Sequence, residues 1–238
     1  MLKNLLTCLL LAATSVAAAP AEFRAEYELY RNQKRLGSSA ISLEKQGDSY
    51  TFSTLSQSEG GWMSALGGAE INERSEFKML GGNFQAVTYS YQQNVSFKSK
   101  KRDIKFDWRE KWAQEDDGEQ QVSYLLEPGA IDRNLVVLAL AEDLKSKREL
   151  AHPVAYKGEV SEWRFENAGS ENVATAMGII PAEKITRMRA NKERSTVSWH
   201  APRYGFLPVK IEQREPNGDV IEMRLKSMRI ANTAASAR

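Results

Sequence analysis

The chain holds two histidines, His152 and His200, each beside a proline-containing segment at the end of a strand-like stretch. An imidazole serves as general base or metal ligand, but a zinc site needs several ligands at short spacing. No H-x-x-x-H or comparable cluster occurs, so no metal is expected. Ser64 lies between glycine pairs without the G-x-S-x-G spacing of a nucleophile elbow. His200 could act as a base, although a histidine at a strand end is ordinarily structural. The many acids alternate with apolar residues, which is how a solvated strand face looks, and Asp116-Asp117-Gly118 reads as a turn. Asn94-Val95-Ser96 fits a glycosylation sequon, a triplet common by chance. This inventory points away from catalysis, and no cofactor is implied.

The aromatic residues are more suggestive. Trp62, Trp108, Trp112, Trp163 and Trp199 are spread through the chain, with Tyr and Phe on many inward positions. They fit either a large packed core or an apolar concavity that takes an acyl chain, and composition does not separate the two. The residues expected to contact such a ligand are Trp62, Met63, Leu66, Trp108, Leu135, Leu138 and Trp199. Gly60-Gly61 and Gly67-Gly68 bracket Trp62-Met63-Ser64-Ala65-Leu66, where Trp62 and Leu66 share one side of a helical turn. That segment is either a mobile lid or a plug packed on the core.

One helix must position all of this. Leu135 to Ala141 are seven consecutive apolar residues, and at 3.6 residues per turn such a run is apolar on every side. It has to be enclosed. Asp132 is placed to cap its start, and Lys145, Lys147 and Arg148 suit its C-terminal dipole. Around it the sequence reads as short strands: Phe23, Ala25, Tyr27 and Leu29 alternate with charged residues, as do Leu207, Val209 and Ile211. The expected fold is therefore mainly β (β-rich α+β), a strongly curved antiparallel sheet or unclosed barrel wrapped around one buried helix.

Two local features sharpen the strand map. Val95 and Phe97 sit on odd positions while Ile104, Phe106 and Trp108 sit on even ones, so a bulge or turn is expected between Lys98 and Asp103. The basic cluster Lys98, Lys100, Lys101 and Arg102 would lie there, exposed. In the last hairpin, pairing Glu215 with Asp219 leaves Pro216-Asn217-Gly218 as a three-residue loop with Gly in the left-handed position. That register sets Glu212 against Glu222 and Lys210 against Arg224. A slip by two would pair opposite charges directly but would put Asp219 where Gly is preferred, and the first register is expected.

The N-terminus reads as an export signal. Lys3 is followed by an apolar stretch, Leu5 to Val16, too short to span a bilayer, with cleavage after Ala18 or Ala21. Residues 1–21 are thus expected to be removed, 22–230 to form one β-rich domain, and 231–238 to be a disordered tail. Cys8, the only cysteine, lies in the apolar stretch and would leave with it, which removes disulfide and thiol chemistry. A lipoprotein anchor at Cys8 is the alternative. Losing Lys3 leaves 32 basic and 31 acidic residues, a balance that gives no argument for nucleic acid. No transmembrane segment is expected in the mature chain.

Four stretches carry a resemblance. They are Phe23-Arg24-Ala25-Glu26-Tyr27-Glu28-Leu29-Tyr30, Ile104-Lys105-Phe106-Asp107-Trp108, Pro128-Gly129-Ala130-Ile131-Asp132-Arg133, and the most specific, Trp199-His200-Ala201-Pro202-Arg203-Tyr204-Gly205-Phe206-Leu207-Pro208-Val209-Lys210-Ile211. Together they resemble the exported domain-of-unknown-function 3108 family over nearly the whole mature chain. The resemblance implies a periplasmic or envelope protein of Gram-negative bacteria and brings no catalytic residues. More loosely, a curved sheet around a helix is similar to the lipoprotein-localisation carriers, which hold acyl chains in an unclosed barrel. The functional expectation is a periplasmic, non-enzymatic protein that binds or carries a lipid or other apolar ligand between sheet and helix. The alternative is an envelope interaction module that meets a protein partner and holds no small molecule.

Overall fold

The computed structural model describes residues 20–59, 69–95, 98–190 and 193–231. They form one fifteen-stranded sheet and one α-helix. The first half supplies β1 (Phe23–Arg31), β2 (Lys34–Gln46), β3 (Ser49–Ser58), β4 (Ala69–Leu80), β5 (Asn83–Val95), β6 (Lys98–Asp107), β7 (Trp112–Asp116) and β8 (Gln121–Leu125). After the two-residue β9 (Ile131–Asp132) comes the helix α1 (Val136–Ser146). The second half supplies β10 (Ala151–Ala155), β11 (Val160–Thr175), β12 (Gly178–Met188), β13 (Ser195–Ala201), β14 (Leu207–Arg214) and β15 (Val220–Ile230). A 3₁₀ turn at Pro202–Tyr204 separates β13 from β14.

Across the sheet the order is β8-β7-β6-β5-β4-β3-β2-β1-β15-β14-β13-β12-β11-β10-β9. All neighbours are antiparallel except β9 and β10. Tight hairpins make this possible: Asn32 and Gln33 both adopt positive φ between β1 and β2, as do Gly81 and Gly82 between β4 and β5. Such turns match the right-handed twist of the strands they join. Register shifts opposite Glu26/Tyr27 and Leu29/Tyr30 leave Lys226 of β15 and Leu36 of β2 as extra residues, which bends those strands.

The sheet buries one face around α1. Inward side chains include Tyr27, Leu43, Phe52, Phe77, Tyr89 and Ile104 from one half, and Ile180, Ile185, Val209 and Leu225 from the other. The Tyr27 hydroxyl donates to the Pro208 carbonyl at 2.8 Å, which ties the halves together across the core. Leu135, Leu138 and Leu140 are buried as their all-round apolar context requires. Each such side chain contributes roughly 1.5–3 kcal/mol of burial. The helix begins one turn later than expected. Asp132 precedes it in β9, yet its Oδ1 still accepts the N–H groups of Asn134 and Leu135 at 2.9 and 3.0 Å.

The ends of the sheet meet through side chains. Glu115 on β7 accepts the Gly158 N–H from the β10–β11 turn at 2.9 Å and the Tyr124 hydroxyl at 2.8 Å. Arg102 pairs with the same carboxylate and lies 5.1 Å from the Tyr156 ring centroid. The sheet is an unclosed barrel, as expected: among the described residues β8 and β9 do not pair, and a polar clasp of side chains joins the two ends instead.

The last hairpin takes the expected register, with Glu215 N–H bonded to Asp219 O at 2.8 Å and Glu212 opposite Glu222. The like charges are reconciled sideways: Lys210 bridges Glu212 and Glu222 at 3.0 and 2.9 Å, and Arg224 reaches Glu222 at 2.6 Å. Contrary to expectation, no break lies between Lys98 and Asp103: β6 runs through that stretch without a register shift against β5, because its pairing with β5 continues from Lys98 to Lys105. Lys101 and Arg102 are then ladder residues with acidic partners, Asp116 and Glu115.

Gly37 marks a close approach. A Cβ there would lie 2.0 Å from the Gln57 carbonyl oxygen and 2.8 Å from the Ser58 Cα, both backbone atoms that cannot rotate away. Gly37→Ala is expected to cost at least the 1–3 kcal/mol (about) typical of overpacking. Thermal unfolding reads this out, and an unchanged midpoint would show that β3 yields freely.

Candidate functional site

A cavity of about 460 Å³ lies beside α1. One wall is the helix, through Val136, Val137 and Leu140; the others come from β11, through Trp163 and Phe165, and from β13 and β14, through Ser198, His200 and Ile211. Strand alternation explains the set. Ser198 pairs with both Ile185 and Ile211, so these share the inward face, whereas Trp199 pairs with Lys184 and Lys210 on the opposite face.

The cavity is apolar along the helix and at Trp163, Phe165 and Ile211, and basic side chains crowd the rest of its lining. Arg133, Lys157, Arg187, Arg189 and Arg194 line it against one carboxylate, Glu159. Arg133 is tied down by Glu73 at 2.9 Å, and Arg194 by Glu215. Arg187 stacks 3.1 Å from the Trp163 ring centroid. Burial, and then the neighbouring Arg189 and Arg133, pull the Arg187 pKa down to about 9.

His200 has both ring nitrogens engaged. Nδ1 faces the Phe206 carbonyl at 2.7 Å and must carry the hydrogen, which leaves Nε2 to accept the Ser198 hydroxyl at 2.8 Å. Hydroxyl and base at this distance have the spacing of a nucleophile pair. Burial, however, lowers the His200 pKa to about 4, against a smaller opposing effect of the Phe206 bond. A ring this weakly basic takes a proton poorly at neutral pH. His152 serves α1 instead, bonding Asp143 at 2.6 Å.

A second polar cluster anchors the start of α1. Ser75 donates to Asp132 at 2.8 Å, Asn134 donates to Ser75 and to the Phe52 carbonyl, and Thr54 donates to Asn134. Glu73 receives Tyr89 at 2.8 Å as well as Arg133, whose guanidinium also reaches the Tyr156 hydroxyl. Asp132 is wholly buried and its Oδ2 has no hydrogen-bond partner. Burial pushes its pKa up to about 7, although the bonds from Ser75, Leu135 and Asn134 act in the other direction.

Of the residues expected at a ligand site, none that the structure describes lines this cavity. Trp62, Met63 and Leu66 lie outside the described residues. Trp199 does not line the cavity: its Nε1–H bonds Glu171 at 2.8 Å and its ring lies between Lys184 and Lys210. Trp108 also faces elsewhere, stacking on Phe106 and donating to the Ala86 carbonyl. Leu135 is core, and Leu138 faces a separate hollow of about 190 Å³ with Phe23, Phe84 and Leu207. The helix supplies Val136, Val137 and Leu140 in their place.

The sequence profile of a protein family of unknown function, DUF3108, matches residues 26–226. The chain belongs to the DUF3108 family. Among solved structures, this DUF3108 protein is similar to the crystal structure of a beta-barrel-like protein of domain of unknown function DUF1849 from Brucella abortus. The TM-score is 0.56 at 9% identity, covering 91% of this chain and 100% of that one, a likeness of fold alone. No curated protein matches the chain. Among the described residues, no helix is long and apolar enough to cross a membrane.

Proposed function

We propose that this DUF3108 protein is a periplasmic binding protein that holds a lipid or other apolar-chained ligand beside α1. The observation that carries the reading is the cavity of about 460 Å³ walled by Val136, Val137, Leu140, Trp163 and Phe165. Its volume is within the few hundred Å³ usual for small-molecule sites. The leader-like residues 1–21 support export. A ligand chain would lie along the helix, which the two arms of the sheet hold in place.

Native mass spectrometry of protein purified without detergent from its own envelope tests this. One equivalent of a small-molecule adduct is expected. Leu140→Trp, which fills the cavity, is expected to abolish the adduct and leave the circular dichroism spectrum unchanged. A wild-type protein free of adduct, or an adduct that persists in folded Leu140→Trp, would count against the proposal.

A further inference from the structure

We propose that Arg187 and Arg189 are the headgroup subsite of this cavity, binding the phosphate or carboxylate oxyanion of an amphiphile whose chain lies along α1. This rests on the cavity being a ligand site and adds the chemical class of the ligand.

The two arginines differ from the other cations nearby in what they touch. Among the described residues, no carboxylate lies within ion-pair distance of either guanidinium. Arg189 donates to the Thr196 hydroxyl at 3.3 Å. The Nε atoms of both are buried without an acceptor. Guanidinium groups held together and partly out of water repel each other and lose hydration, and the Trp163 ring, the Thr196 hydroxyl and the more distant Glu215 return only part of that. An oxyanion supplies what is missing, because it accepts the forked N–H groups in charge-assisted bonds.

Placement fits the class. Arg187 pairs across the ladder with Phe165 and stacks on Trp163, so the cationic wall adjoins the apolar one. Arg187, Arg189 and Arg194 also line an outer hollow of about 440 Å³ shared with Glu162 and Glu193. Glu162 is engaged there by Arg164. The headgroup would thus sit at the boundary between the cavity and this hollow, with the chain running inward to Val136, Val137 and Leu140.

Isothermal titration of the full chain with decyl phosphate, decanol and inorganic phosphate tests the assignment. Decyl phosphate is expected to bind about tenfold or more tighter than decanol, consistent with charge-assisted bonding. Arg187→Met and Arg189→Gln should each erase most of that margin, read as the ratio of decyl phosphate to decanol affinity within the same variant, and leave the melting temperature of the free protein unchanged or raised. Equal binding of the two alkyl probes, or no effect of either substitution, overturns the headgroup subsite while the cavity reading stands. Phosphate that binds as tightly as decyl phosphate in an Arg187-dependent way overturns the amphiphile and makes a free anion the source. If no probe binds, both readings fall. Should a variant not fold, added salt on the wild type replaces it: decyl phosphate binding must weaken and decanol binding must not.

Discussion

Arg133→Met is expected to lower the unfolding free energy by about 2–4 kcal/mol, with Glu73 left in place. Breaking a buried pair by removing one partner costs about 3–5 kcal/mol, because the other charge stays buried without compensation. Glu73 retains 11% side-chain exposure and Arg133 33%, so water recovers part of the loss and the lower range applies. The substitution also takes a donor from Tyr156 and leaves Glu73 with the Tyr89 hydroxyl alone. The double variant Arg133→Met, Glu73→Gln removes the stranded charge and should recover at least half of the deficit. Urea unfolding at pH 7 measures both. A single-variant cost below 1 kcal/mol (about a fivefold change in the equilibrium) or a double variant no more stable than the single would show that the pair holds nothing.

Asp132 has an effect of similar size that depends on pH. Its folded pKa of about 7 stands above the model-peptide value of 3.8, so the folded chain keeps a proton that the unfolded chain releases. The resulting stabilisation is fully present below the unfolded value and is lost as pH rises through 7. Its size is on the order of 4 kcal/mol, from about 1.4 kcal/mol per unit of pKa difference. His200 runs the other way. Its folded pKa of about 4 lies below the ordinary 6.5, so its contribution is present above 6.5 and fades as pH falls through 4. The two nearly cancel between pH 4 and 6.5. Asp132→Asn keeps the Oδ1 acceptor and cannot ionise, so it should expose the His200 slope: its stability relative to wild type grows steadily from pH 4 to 7 and then levels off. Chemical denaturation at half-unit pH steps would show this, and parallel wild-type and variant curves would refute it.

Much of this architecture was legible in the residues. Alternation at Phe23, Ala25, Tyr27 and Leu29 gave the inward face of β1, and the seven apolar residues from Leu135 gave the enclosed helix. Turn chemistry at Pro216-Asn217-Gly218 outweighed charge pairing and selected the register. The site was less legible. Within β12 the inward beat changes parity, from Ile180 and Ala182 to Ile185, near the point where its pairing with β11 shifts between Asn167 and Ser170. That irregularity carries Arg187 and Arg189 onto the cavity face, and no alternation pattern reveals it beforehand. An arginine two and four residues beyond a buried Ile185 was the available signal. Tryptophan misled for a different reason: a large ring with an N–H is buried on whichever face offers an acceptor, so Trp199 went to Glu171 and Trp108 to the Ala86 carbonyl.

The strand order has a consequence for how the molecule assembles. β1, the first strand of the described residues, is the middle strand of the sheet, eighth of fifteen, and its two neighbours are β2 and β15. The arm from β2 to β8 grows outward one hairpin at a time from an edge that already exists. The other arm must grow toward the centre, from β9 to β15, and joins β1 only through the last strand made. Every strand pairing in that sequence joins consecutive strands except this one, which links Phe23 to Ile230. Loop entropy falls on a single late step. Until residues 220–230 arrive, β1 presents an unpaired edge, and the chain has two half-sheets but no enclosed core.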